Sequence, residues 1–140
     1  MSIRTDIADK LVSIFDGINT TAGFQTNVAF VQRRLLFYDE IEVKPAVMVT
    51  GGSETRNYLP GQQKERIITY IVRAYINSDS ESDKLLDTLV EDIESALDIE
   101  FYKDRLGGLV TNISVQEITT DEGLLAPDAV AEIVLAANII

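Results

Sequence analysis

The chain has 140 residues, 46% of them hydrophobic and 25% charged, which suits one globular domain (residues 1–140) and is too short for two of ordinary size. It contains no cysteine, histidine or tryptophan, which excludes disulfides, thiolate chemistry, and the side chain that most often serves as a neutral-pH base or metal ligand. The net charge of −11 is concentrated in one half, since residues 1–70 hold eight basic and eight acidic side chains and residues 71–140 hold four and fifteen; a surface of that sign repels phosphate.

The first residues mix Arg4 and Lys10 with Asp6 and Asp9 and lack the apolar run of a secretory signal, and no stretch approaches a membrane span. The expectation is a protein made and used in a cytoplasm. Ile3, Ile7, Leu11, Ile14, Phe15 and Ile18 recur at helical spacing, predicting an amphipathic helix from residue 3 to about 16 with Ser2 as its cap. Gly17 and Gly23 bracket its end, and residues 19–27 read as a loop. Residues 28–33 are predicted as a strand and residues 34–41 as an irregular crossing, ended by Pro45. Residues 46–50 (AVMVT) then form a short buried strand that stops at Gly51-Gly52. Residues 53–64 (SETRNYLPGQQK) are predicted as a loop, long for a compact domain, with Tyr58-Leu59-Pro60-Gly61 at its tip. Either Tyr58 folds back on the sheet or the loop is an arm that docks on a neighbour.

The stretch from residue 65 to 97 carries the strongest pattern. Ile68, Tyr70, Val72, Ala74 and Ile76 make one apolar strand face, while Ile67, Thr69, Ile71, Arg73 and Tyr75 make a mixed face, a first sign of a partner. Ser78 with Glu81 reads as a capping box that starts a helix directly after the strand. Leu85, Leu86, Leu89, Val90, Ile93, Ala96 and Leu97 recur at helical spacing, with Asp87, Glu91, Asp92, Glu94 and Asp98 mostly opposite. Lys103 and Arg105 follow the carboxyl end of that helix, where positive charge is favoured, and Leu106-Gly107-Gly108 makes a turn. Residues 110–119 alternate as a strand, Asp121-Glu122-Gly123 turns, and residues 129–140 close the chain as a strand with Ala131, Ile133, Leu135, Ala137 and Ile139 toward the core. The predicted fold is α+β: a mostly antiparallel sheet with two helices packed on one face.

The residues offer almost no catalytic set. Gly51-Gly52-Ser53 lacks the Lys and the following helix of a phosphate loop, and Asp79, Glu81 and Asp83 lack the glycine and terminal Glu of a calcium loop. Asp87 with Glu91, or Glu91 with Glu94, share a helix face, but nothing pairs them with a second element, so no metal or cofactor is expected. Arg33-Arg34, with Phe30 and Phe37 nearby, fits a contact with the acidic half of another copy.

In this arrangement the chain resembles the phage tail terminators. The resemblance is carried by the N-terminal amphipathic helix, the strand Pro45-Ala46-Val47-Met48-Val49 entering a Gly-rich turn with Glu54, the strand from Arg66 to Tyr75, and the acidic helix from Ser80 to Leu97. Gly108-Leu109-Val110 opening a strand and a closing strand complete it. The end of the closing strand, Asn138-Ile139-Ile140 rather than an aromatic, and residues 33–44 depart from the family pattern. The resemblance implies a late, non-enzymatic virion protein: a hexameric ring at the head-proximal end of the tail tube that stops tube polymerisation and provides the head-joining surface. Its partners would be copies of itself, the tail tube protein and a neck or head-completion protein, with DNA passing through unbound. Arg33, Arg34, Arg56, Tyr58, Leu59, Arg73 and Tyr75 are the expected subunit or tube interface residues, and Asp87, Glu91 and Glu94 the expected acids of the lumen. A neck or head-completion protein, a tube subunit and a small acidic host binding protein are the competing readings, and an enzyme is disfavoured by the missing His and Cys.

Overall fold

The computed structural model describes residues 2–36 and 40–140. Its elements follow the predicted order: α1 (Ile3–Asp16), β1 (Phe30–Gln32), β2 (Ala46–Leu59), β3 (Gln63–Asn77), α2 (Ser82–Gly108), β4 (Asn112–Thr120) and β5 (Asp128–Ile139). The five strands form one sheet in the order β1-β2-β3-β5-β4, antiparallel except where β1 runs beside β2.

Both helices lie on the same sheet face, as the two hydrophobic periods require. Ser2 Oγ accepts from the Thr5 N–H at 3.4 Å to start α1, which buries Ile7, Leu11 and Phe15. From α2, Leu86, Leu89, Ile93 and Leu97 enter the same core. The sheet supplies Val47 and Val49, then Ile68, Tyr70 and Val72, then Ala131, Ile133 and Leu135. Each large apolar side chain fully buried here contributes roughly 1.5–3 kcal/mol.

The chain departs from its sequence pattern at three places. First, β2 does not stop at Gly51-Gly52 but bulges there: Gly51 pairs with Tyr70 and Glu54 with Ile68, one residue out of step. A Cβ on Gly52 would stand 3.2 Å from the Thr69 carbonyl oxygen, so glycine here lets two strands approach rather than ending one. The predicted loop 53–64 is therefore a paired ribbon, closed by Leu59 opposite Gln63, with Gly61 and Gln62 turning at positive φ.

Second, α2 begins at Ser82 rather than at Ser78. Ser78 Oγ accepts from the Glu81 N–H at 3.3 Å, but the Ser78 N–H is already given to the Pro127 carbonyl at 3.0 Å, so the reciprocal half of the capping box has no donor. The helix also outlasts its predicted end. Non-helical backbone begins at Asp104, and Arg105 to Gly107 take positive φ, a turn that drives Leu106 fully into the core.

Third, the strand predicted over residues 28–33 shortens to the three residues of β1. Phe30, Leu36 and Ile41 cover Ala46, Met48 and Tyr75 at one end of the other sheet face, where the Tyr75 hydroxyl donates to the Leu36 carbonyl at 3.1 Å. Phe37 lies outside the described residues.

Candidate interaction surfaces

The bulge in β2 turns Glu54 to the helix side of the sheet, and three arginines converge on it. Arg66 on β3 grips both carboxylate oxygens, Nε at 2.9 Å and Nη2 at 3.2 Å. Arg56 Nη2 stands at 2.7 Å, and Arg4 Nε reaches across from α1 at 3.4 Å. The Glu54 side chain is 6% exposed, whereas Arg66, Arg56 and Arg4 keep 24%, 41% and 47% of theirs in solvent. The hydrogen bond from Arg66 is the main reason the Glu54 carboxyl is held below its ordinary pKa, and the same bond raises Arg66. Beneath them Tyr70, its pKa pushed up to about 12 by burial, donates its hydroxyl to the Arg4 carbonyl at 2.8 Å. Three guanidinium groups against one carboxylate leave a local surplus of two positive charges (3 − 1) in an acidic protein. Sequence reasoning noted Glu54 and Arg66 only as parts of separate elements. Their meeting depends on the one-residue shift at the bulge.

Beyond this cluster the β2–β3 ribbon leaves the sheet. Pairing of β3 with β5 ends at Arg66 opposite Ile139, while β2 and β3 continue together to Leu59 and Gln63. Arg56 sits at the root of this arm, Leu59 is half-buried, and Tyr58 is 75% exposed. An isolated two-stranded ribbon is marginal in water.

The sheet face away from the helices is lined by half-buried Thr50, Ile67, Thr69, Ile71, Val134 and Ala136. Arg73 on this face donates to Thr50 Oγ1 at 3.1 Å and stands 3.4 Å from Glu132. Tyr75, expected at an interface, is 4% exposed and belongs to the small core with Phe30, Leu36, Ile41 and Met48. Arg33, at the end of β1, is 3.8 Å from Asp9 of α1, and the neighbouring Arg34 is exposed.

On α2 the spacing of Asp87, Glu91, Glu94 and Asp98 puts four carboxylates in one stripe. Asp87, Glu91 and Asp98 are exposed and Glu94 is half-buried, and among the described residues none of the four has an ion pair. Glu94 and Asp98 share a shallow cleft with Ile113 and Val115 of β4, so the stripe runs along the β4 flank of the molecule. Asp92, which the sequence reading set with these acids, points the other way. It is 5% exposed, and both its oxygens accept from the Gln25 N–H, at 3.1 and 3.3 Å, tying the loop after α1 to α2.

Among the described residues no group of three or more Asp or Glu stands where it could hold a metal ion. The family described as Bacteriophage Tail Tube Terminator Protein matches residues 1–138. The tail tube terminator protein of Escherichia phage T5 is 30% identical over 146 aligned positions, covering 95% of this chain and 91% of that relative.

Proposed function

The chain belongs to the bacteriophage tail tube terminator family, a structural part of the phage tail, and on that premise we propose that it closes the head-proximal end of the tail tube as a ring of six copies. The ring stops tube polymerisation and presents the surface on which a neck or head-completion protein joins. No reaction is catalysed. The protein is used in the host cytoplasm during assembly and ends in the virion, and DNA crosses the ring without specific binding, in keeping with a net charge of −11.

The observation that carries this reading is the arm. A ribbon that leaves its own sheet at Arg66, is pinned at its root by Glu54 and holds Tyr58 75% exposed lacks the cover that a two-stranded element needs. A neighbouring copy or the tube supplies that cover. The arm, with Arg33, Arg34, Arg56 and Leu59, and the Arg73 side of the open sheet face are the surfaces offered to those neighbours. Purified chain added to its polymerising tail tube protein is expected to halt growth and leave a ring at one tube end in electron micrographs. Tubes that grow to the same length with and without it refute the reading. Long cylinders of this chain alone would make it a tube subunit instead.

A further inference from the structure

We infer that the arginine cluster around Glu54 is the docking site for a second copy of this chain, and that it takes the carboxylates of that copy's α2 stripe, chiefly Glu94 and Asp98. The inference rests on the ring reading above and specifies which surfaces close the ring.

Three observations support it. The two surfaces lie on opposite flanks of the same layer. Arg4 belongs to α1 and Arg56 to β2, on the β1–β2 side of the sheet, whereas Glu94 and Asp98 stand beside β4, the far edge strand. Their charges are complementary and unspent within one chain. The cluster carries two positive charges more than Glu54 can neutralise, the side chains of its outer arginines, Arg56 and Arg4, remain 41% and 47% exposed, and the acids of the stripe have no ion pair among the described residues. Arginine retains several N–H donors after one carboxylate is bound, and a second carboxylate is the group its planar fork fits.

The third observation is one of level. Across the sheet, Glu54 pairs with Ile68, Ile68 with Ala137, and Ala137 with Ile113, the residue that lies against Glu94 and Asp98. The cluster and the two acids therefore stand at the same height along the strands, at opposite ends of one hydrogen-bonded row. In a closed ring with its axis along the strands, each copy is related to the next by rotation without rise, so only surfaces at equal height meet. Flank-to-flank packing then brings Arg4 and Arg56 of one copy to Glu94 and Asp98 of the next. This arrangement puts the carboxylates between copies rather than on the channel wall. It also favours association over capture of DNA, because the long-range field of the chain repels phosphate while a neighbour's acids arrive at short range.

Complementation between two reversed chains provides the test. One chain carries Glu94→Lys and Asp98→Lys, so both flanks are basic; the other carries Arg4→Glu and Arg56→Glu, which leave Arg66 against three carboxylates, so both are acidic. Circular dichroism checks that each is folded, and capping of tail tubes by electron microscopy, with native mass of the caps, is the readout. Each reversed chain alone is expected to need at least about tenfold more protein to cap tubes than the parent. The equimolar mixture, in which unlike chains can alternate around an even ring, is expected to recover most of that loss. If the arginine-reversed chain fails to fold, the acid-reversed chain still decides. Its capping should be weak at low salt and should improve as salt screens the repulsion between two basic flanks, whereas the parent's capping should weaken as salt rises. Reversed chains that cap as the parent does overturn the inference and leave the ring reading standing. Normal rings of the acid-reversed chain that now retain DNA overturn it too, and return these acids to the lumen. A parent chain that never caps a tube sinks the ring reading itself, and the inference with it.

Discussion

Replacing Glu54 by Gln keeps the shape of the side chain and removes the one charge that three arginines share. A fully buried pair broken from one side costs about 3–5 kcal/mol, because a charge is left uncompensated, and an exposed pair costs about 0.2–1 kcal/mol. Glu54 is covered, at 6% exposure, but its partners keep between 24% and 47% of their side chains in water and stay partly hydrated when it is neutralised. The expected loss on Glu54→Gln at neutral pH therefore falls between those limits, about 2 kcal/mol. The pH dependence has a definite sign. The Glu54 pKa is lowered in the folded chain, chiefly by the Arg66 hydrogen bond, so its contribution is fully present above the unfolded value of about 4.3 and is lost as pH falls through the folded value. Urea unfolding followed by circular dichroism should show a gap between parent and Gln variant that is constant from about pH 6 to 8 and narrows on acidification below about pH 4.3. A gap under about 0.5 kcal/mol at pH 7, or one that persists unchanged well below the folded pKa, would refute the shared-carboxylate account.

Phe15→Ala empties a site with no solvent exposure under α1 and should cost about 3–5 kcal/mol in the same unfolding assay, with a loss under about 1 kcal/mol showing that α1 is not seated as described. Asp92→Ala leaves the Gln25 N–H without its acceptor and should cost about 1–2 kcal/mol, with faster hydrogen exchange at the Gln25 amide; unchanged exchange would mean the loop is held by other contacts. Tyr58→Ala, at a side chain 75% exposed, should leave unfolding within about 0.5 kcal/mol of the parent while reducing tube capping, and unimpaired capping would remove the arm from the interface.

Much of the architecture is local in origin and legible in the residues alone. Ile3 to Ile18 and Leu85 to Leu97 repeat at 3.6 residues, while residues 67–76 and 129–139 repeat at two, and a period is a property of neighbours along the chain. Helix order, strand order along the chain, the core faces of β3 and β5 and the placing of both helices on one side follow from those periods. So does the prominence of the α2 acids, because a stripe at helical spacing is written in the spacing. The departures have the opposite character. Gly51-Gly52 reads as a stop within its own segment, and only the pairing with β3 makes it a bulge, since the close approach of Thr69 comes from a strand 17 residues away along the chain (69 − 52). That single slip sends Glu54 to the opposite face and lets Arg4, Arg56 and Arg66 converge on it, a meeting invisible in any one segment. Asp92 reads as one more solvated acid, yet the loop after α1 folds over it, and Tyr75 reads as part of an open face, yet Phe30, Leu36 and Ile41 cover it. Composition and periodicity thus determined which elements form and which sides they bury, because both depend on short-range geometry and on hydrophobic area. Tertiary structure alone decided which charges become partners and which surfaces stay uncovered, because register and pairing across a sheet join residues far apart in the chain.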